Sequence, residues 1–327
     1  MADEIIKKKM EFGGETFDIV YRKLRARPPK CNVDRGELDE NGRPVFVKNG
    51  WGDWPELNPR TYEVAPGVIC DQDVAIPMRD GTITYADVFR PKETSEKVPA
   101  IIAYSFFGKR PSADFGMEWQ TNGVPYGSHS IYTKFEAPDP LYWCSKGYAI
   151  VNYDIRGIGN SEGDAYAWSS QEGRDGYDLI EWIAGQSWCN GKVGLAGNSA
   201  LAMCQWRIAA EQPPHLAAIA PWEGTGEIYR EFINKGGITE YGFNQFLTAD
   251  FVGNGYIEDI YLNAKEYPLN NAYWEDKVPK WEKIDVPAYV TGGWNHFHLR
   301  GATRGFMNIS STQKWLRVHR EFEWPDI

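Results

Sequence analysis

The sequence predicts an α/β fold with a mostly parallel central sheet, and three observations support this. From about residue 98 to the end, short apolar runs typical of buried strands alternate with helical patterns. Before them, two segments joined at Arg79-Asp80-Gly81 predict an antiparallel hairpin at the start of the sheet. An aromatic-rich stretch, 224–283, interrupts the alternation and predicts a helical cap above the carboxyl ends of the strands.

The elements divide the chain into four segments. Residues 1–63 are weakly periodic and form an N-terminal arm, with one short helix expected near Phe17–Arg25. Residues 64–223 are the first part of the core, 224–283 the cap, and 284–327 the last strands. The predicted strands are 68–76, 83–89, 98–104, 148–153, 193–196, 216–220, 288–291 and 315–318, and the predicted helices are 173–186, 200–211 and 227–235.

Composition excludes several classes of protein. Lys and Arg number 35 against 45 Asp and Glu, and this net charge of -10 argues against a nucleic-acid binder. No run reaches the ~20 apolar residues of a membrane helix, and no apolar segment follows the lysines at 7–9 as in a secretory signal, so we expect a cytoplasmic protein with no membrane partner. The 5 cysteines are widely spaced and predict buried thiols.

No metal or other cofactor is predicted. The cysteines form no CxxC pair and no Cys/His cluster. His296 and His298 are two residues apart, but no neighbouring acid or cysteine completes a metal site.

The strongest chemical signal is the segment Val193–Met203. An apolar strand runs into Gly197-Asn198-Ser199, and a helix follows at once. A serine in such a turn exposes its hydroxyl above the sheet, and the Ala200 N–H at the helix N-terminus can bind an oxyanion. The structural alternative is that Ser199 only caps the N-terminus of the helix, which is a common role of serine.

A second glycine-rich segment, Asp154–Gly163, also follows a buried strand. Its glycines do not match a dinucleotide-binding fingerprint, and no helix follows at once. We interpret it as a structural loop.

Taken together, these motifs resemble the cocaine-esterase and X-Pro dipeptidyl-peptidase family of α/β hydrolases. The family hydrolyses esters or amides with a Ser-His-Asp triad under a helical cap, and its members usually carry a C-terminal jelly roll. We expect no jelly roll in this chain, and we expect that a sheet left uncovered there favours a homodimer. The segments that carry the resemblance are Met78–Gly81, Asp154–Gly163, Asp175–Ile183, Trp188–Gly194, Gly197–Ser199 and Ala220–Gly224.

The resemblance implies a nucleophile and a base. Ser199 matches the nucleophile, and His319 matches the histidine that takes its proton. The family's acid is missing from Gly292–His296, where no Asp or Glu occurs. Three alternatives remain for orienting His319. Glu223 after the preceding strand could do so, Asn295 could do so without charge, or no residue orients the imidazole.

The resemblance also implies an oxyanion site. Ala200 supplies one N–H, and the family supplies a tyrosine hydroxyl where this sequence has Phe107, which cannot donate. A second donor must be a backbone N–H of the loop Tyr104–Lys109 or a displaced side chain. Phe106 and Trp222 complete the expected pocket.

The predicted function is a serine hydrolase acting on an ester, lactone or amide of a small, largely apolar molecule. The missing acid and tyrosine leave an alternative: non-hydrolytic chemistry in a biosynthetic pathway, such as that of a lyase, dehydratase, decarboxylase or cyclase. A non-catalytic binding protein on the same fold is the other alternative.

Overall fold

The computed structural model describes residues 4–25, 33–38, 44–47, 56–94, 96–110, 124, 128–321 and 324. The strands are β1 Ile5–Phe12, β2 Glu15–Lys23, β3 Val33–Leu38, β4 Pro44–Val47, β5 Arg60–Ala65, β6 Val68–Pro77, β7 Ile83–Pro91, β8 Val98–Ser105, β9 Ala149–Asp154, β10 Cys189–Asn198, β11 Leu216–Trp222, β12 Asn234–Lys235, β13 Ile238–Thr239, β14 Tyr256–Glu258, β15 Ala288–Gly293 and β16 Lys314–His319.

The helices lie between these strands. They are α1 Pro140–Ser145, α2 Ser170–Ala184, α3 Ala200–Ala210, α4 Gly242–Asp250, α5 Ile260–Glu266, α6 Ala272–Glu275 and α7 Leu299–Asn308, with a π-helical turn at Tyr229–Ile233 and a 3-10 turn at Trp281–Lys283. None of these helices has the length and apolar character that a membrane crossing requires.

A nine-stranded sheet forms the centre of the molecule, in the order β16-β15-β11-β10-β8-β9-β7-β6-β5. The pairs from β9 to β16 are parallel, and β5, β6 and β7 are joined antiparallel. The predicted α/β class and the hairpin at the start of the sheet are confirmed. The carboxyl ends of the parallel strands meet at one edge, where α/β proteins bind their ligands.

The helices α2 and α3 pack closely against each other. A Cβ at Gly176 would lie only 2.3 Å from Cγ1 of Ile208, so glycine is required for this approach. The α3 helix is buried along its whole length. This burial fixes the turn before it relative to the sheet.

The N-terminal arm contains a hairpin, and the helix predicted near Phe17–Arg25 is wrong. Strands β1 and β2 pair antiparallel, and Gly13 and Gly14 form the turn with φ of 57° and 82°. Two glycines between alternating segments are a hairpin signal. The arm also includes residues outside the described ranges, among them Cys31; the other four cysteines are buried.

The insertion between β11 and β15 is tied to this hairpin. Strand β14 pairs antiparallel with β2, which makes a three-stranded sheet. The buried Asn263 side chain accepts from the Val20 N–H at 2.9 Å and donates to the Val20 carbonyl at 3.0 Å. The segment that we expected to be a cap therefore shares a sheet with the N-terminal arm.

A buried ion cluster fixes the loop that follows β8. Lys109 Nζ lies 2.9 Å from Asp154 Oδ2 and 3.1 Å from Asp73 Oδ1. Arg110 pairs with Asp73 and with Asp87. Burial alone would raise the pKa of Asp73, but Lys109 and Arg110 lower that pKa to about 2.

Candidate active site

Ser199 lies in a strained turn between β10 and α3. Its φ is 52° and its ψ is -116°, a conformation that costs a non-glycine residue free energy. Gly197 has a φ of 148°, and a Cβ there would lie 2.6 Å from Leu201 Cβ. The Ser199 side chain makes no capping hydrogen bond to α3, so the interpretation of Ser199 as a helix cap is wrong.

His298 is in contact with Ser199. Its Nε2 lies 3.0 Å from Ser199 Oγ. His298 follows β15 and immediately precedes α7, and its side chain is completely buried. We expected His319 to be the base that takes the proton of Ser199, and that role stays a prediction.

The other ring nitrogen of His298 is also engaged. The Thr225 backbone N–H donates to His298 Nδ1 at 3.1 Å. Burial, with smaller contributions from His296 and Lys235, lowers the pKa of His298 well below its usual value of 6.5. His298 is therefore a neutral imidazole at neutral pH.

Glu223 and His319 form a second pair at the same edge of the sheet. Glu223 Oε1 lies 2.8 Å from His319 Nε2, and Glu223 Oε2 accepts from the Gly293 N–H at 3.2 Å. Glu223 is fully buried, and its φ of 57° is a strained backbone conformation of the kind expected at a functional position. His296 Nδ1 lies 3.7 Å from Glu223 Oε2. The predicted Glu223–His319 contact is present, and its catalytic role stays a prediction.

Asn295 does not orient an imidazole in this structure. Its side chain is exposed, and Nδ2 donates to the Arg320 carbonyl at 3.4 Å. The alternative that gave Asn295 this role is corrected.

The loop after β8 carries two packed aromatic side chains. The Phe107 ring packs against Phe135 and Phe251, and Phe106 packs against Phe251 and Trp168. Tyr104, which we expected at the pocket, is buried in the core. Its hydroxyl donates to the Glu172 carbonyl at 3.4 Å, because β8 directs this side chain towards α2.

Phe297 connects His298 to further aromatic rings. The Phe297 ring lies 4.1 Å from that of His298 and also contacts Phe232 and Phe243. The ammonium of Lys235 lies 4.6 Å from the Phe297 ring centre. Trp222 is buried under the serine turn, and its carbonyl accepts from the Ser199 N–H at 3.0 Å.

The glycine-rich loop 154–163 makes structural bonds, within itself and to α2 and β7, in agreement with our interpretation. Arg156 binds both oxygens of Asp175 at 2.7 Å. The Ser161 hydroxyl donates to the Asp154 carbonyl and accepts from the Tyr85 N–H.

Sequence reasoning missed His298 because it treated His296 and His298 only as a metal pair. Across the described ranges, no group of three or more His, Cys, Asp or Glu side chains could hold a metal ion. A usable signal was the position of His298 between a predicted strand and the segment that forms α7. Residues in that position lie at the carboxyl edge of a parallel sheet.

Comparison with known proteins now identifies the family. The family model described as X-Pro dipeptidyl-peptidase (S15 family) matches residues 80–255. The chain belongs to this family. A cocaine esterase from Rhodococcus is 31% identical to this chain over 159 residues, which are 48% of this chain and 24% of that protein.

Other relatives are also hydrolases. A putative serine esterase of Mycobacterium bovis is 29% identical over 166 residues, which are 50% of this chain and 26% of that protein. A solved CocE/NonD family hydrolase from Staphylococcus aureus is 36% identical, with a TM-score of 0.73, over 79% of this chain and 47% of that one. An α-amino acid ester hydrolase, 18% identical with a TM-score of 0.54, shares the fold.

These matches show an S15-family chain with the α/β-hydrolase fold, related to esterases and peptidases. The matched part is about a quarter of the curated relatives and about half of the Staphylococcus hydrolase. The substrate, the mechanism, the cytoplasmic location, the cap and the homodimer stay predictions.

Proposed function

We propose that the chain is a serine hydrolase that cleaves an ester, lactone or amide of a small, largely apolar molecule. The observation that carries the proposal is the strained turn at the N-terminus of α3. This turn holds Ser199 Oγ 3.0 Å from Nε2 of His298. Strain of this kind is retained where the surrounding structure holds it for function. The relation to esterases and peptidases supports the same class of reaction.

In the proposed reaction Ser199 Oγ attacks the carbonyl carbon and forms a new C–O bond. The serine proton passes to His319, whose imidazole is held by Glu223. The strand order supports these roles, because β10, β11 and β16 bring all three residues to the same edge of the sheet. His319 must present a nitrogen to Ser199 for this transfer, and such hydrogen bonds often form only in the substrate complex.

The tetrahedral intermediate places a negative charge beside Ser199. Ala200 is the first residue of α3, so its N–H has no acceptor within the helix, and we propose that it binds this charge. The intermediate collapses as the bond to the leaving group breaks and the leaving group takes the proton from His319. Water then cleaves the acyl-serine by the same steps.

The aromatic side chains near the site support an apolar substrate. Phe107, Phe251, Phe232 and Phe297 belong to connected ring contacts that extend from the loop after β8 to the residue before His298. Aromatic rings supply large apolar contact areas to small-molecule sites.

Labelling by a fluorophosphonate probe tests this function. We expect mass spectrometry to find one adduct on Ser199 in the native chain and none in Ser199→Ala. We expect His319→Ala to label about 10³-fold more slowly, because the serine then lacks its base. Ser145→Ala is the matched control, since Ser145 is exposed and its hydroxyl only donates to the Tyr142 carbonyl.

The proposal fails if the folded native chain neither labels nor hydrolyses 4-nitrophenyl butyrate. The non-hydrolytic and binding alternatives would then account better for the retained turn at Ser199.

A further inference from the structure

We propose that His298 is the second oxyanion donor of this site and that its Nε2–H, rather than a lone pair, faces the reacting oxygen. This inference rests on the proposed serine-hydrolase function. It gives His298 a role different from that of a general base, although His298 is the histidine that contacts Ser199.

The tautomer of His298 follows from its neighbours. A backbone N–H can only donate, so the bond from Thr225 requires a lone pair on His298 Nδ1. A neutral imidazole with a lone pair on Nδ1 carries its proton on Nε2. The contact with Ser199 Oγ at 3.0 Å is therefore donated by His298. A general base needs the opposite tautomer.

The turn that contains Thr225 is held in place by Glu231 and Arg304. Oε2 of Glu231 accepts from the Gly226 N–H at 2.8 Å and from the Glu227 N–H at 3.1 Å. Arg304 on α7 lies 2.9 Å from Glu231 Oε1 and 2.9 Å from Glu227 Oε2. These bonds hold the Thr225 N–H in place, because Thr225 precedes Gly226 directly.

The surroundings of His298 favour the neutral form. Its ring is fully buried, and burial, with smaller contributions from His296 and Lys235, lowers its pKa. A neutral imidazole donates one N–H without taking the serine proton, which suits a donor and not a base.

The other expected donors are already engaged. Phe107 has no side-chain donor, and its backbone N–H donates to Ser105 Oγ at 3.0 Å. The Lys109 N–H donates to Asp154. The Ser199 N–H donates to the Trp222 carbonyl. The loop amides of Phe107 and Lys109 therefore donate to acceptors within the fold. His298 Nε2–H, in contrast, is a side-chain donor beside Ser199 Oγ.

The proposed step keeps charge and atoms balanced. As Ser199 Oγ bonds to the carbonyl carbon, the electron pair of the C=O bond moves to the carbonyl oxygen. That oxygen accepts hydrogen bonds from the Ala200 N–H and the His298 Nε2–H, and His298 neither gains nor loses a proton. The proton of Ser199 goes to His319.

Two substitutions separate a donor from a base. His298→Gln places an amide N–H near the position of Nε2 but cannot act as a base, and His298→Leu removes both properties. We expect kcat for 4-nitrophenyl butyrate to fall about 10²- to 10³-fold in His298→Leu. We expect His298→Gln to stay within about tenfold of the native kcat, since most of the lost donor function is restored.

The matched control is His215→Gln. His215 is an exposed histidine paired with Glu181, and this variant should keep the native kcat. The inference is overturned if His298→Gln loses as much activity as His298→Leu, since the imidazole would then be needed as a base. A native chain that neither labels nor turns over would instead refute the proposed function.

A measurement on the native chain does not depend on activity. The ¹⁵N NMR spectrum of histidine-labelled protein, assigned with His298→Gln, reports which ring nitrogen carries the proton. We expect Nε2 to be protonated and Nδ1 to be unprotonated at pH 7. Protonation on Nδ1 would overturn the inference even if the variants failed to fold.

Discussion

Among single residues of the site, the surroundings of His298 determine whether its imidazole is protonated. Its imidazole is buried beside His296 and Lys235, and these three features all disfavour a positive charge on the ring. The folded chain therefore resists protonation of His298, whereas the unfolded chain takes up a proton near pH 6.5. Stability is lost as the pH falls through this range, by up to about 1.4 kcal/mol per pH unit.

The lowered pKa of His298 predicts how the stability of His298→Gln depends on pH. Because glutamine does not titrate, the variant should lose about 1 kcal/mol less free energy of unfolding than the native chain between pH 7.5 and pH 5.5. Urea unfolding at the two pH values measures the difference. An equal loss in His298→Gln and in the native chain would contradict this direction of the His298 pKa shift.

The residues of the site differ in how far the sequence could predict them. The turn at Ser199 could be predicted because a buried strand, small residues and a helix are adjacent in sequence. Glu223 next to His319 could also be predicted, because both follow strands of one parallel sheet. The position of His298 after strand β15 could place it at the same edge, but its contact with Ser199 could not be predicted. That contact depends on how the turn at Thr225 meets α7, and no local pattern encodes this.

At the scale of elements, α7 approaches the turn after β11 through one glycine. A Cβ on Gly301 would lie 2.4 Å from Thr225 Cα and 2.5 Å from Gly226 N. Both neighbours are backbone atoms, so the helix or the turn would have to move. The position of the Thr225 N–H, and with it the tautomer of His298, depends on this close approach.

Gly301→Ala should therefore affect both stability and the site. We expect a loss of about 1–3 kcal/mol in the free energy of unfolding and slower labelling of Ser199. Gly185→Ala is the control, because its nearest neighbour would lie at 3.5 Å, an ordinary contact. Native labelling in a destabilised Gly301→Ala would show that the turn at Thr225 does not position the site.

The elements of the main sheet were predictable because buried parallel strands are short continuous apolar runs. Strand β2 was misread as a helix because its burial does not alternate regularly: Ile19, Val20 and Tyr21 are all buried. Both faces of this part of the strand are covered, so the sequence loses the period of two that identifies a strand.

At the scale of the whole molecule, buried charges join the antiparallel and parallel parts of the sheet. Lys109 connects Asp73 at β6 with Asp154 at the end of β9, and all three side chains are completely buried. Removing one partner of such a cluster leaves an uncompensated charge, which costs far more than an exposed ion pair contributes.

Lys109→Met should lower the free energy of unfolding by about 3–5 kcal/mol. Lys92→Met removes a lysine whose pair with Glu63 is largely exposed, and it should cost less than about 1 kcal/mol. Urea unfolding of both variants measures the contrast. Similar losses in the two variants would show that the buried cluster does not stabilise the fold in this way.

The pairing of β2 with β14 also has a consequence for synthesis on the ribosome. The hairpin of β1 and β2 emerges first, whereas β14 starts at Tyr256. At typical rates of translation, β14 follows after a delay on the order of ten to fifty seconds. During this time one edge of β2 has no partner strand, and the nascent chain offers chaperones or a neighbouring nascent chain an open edge.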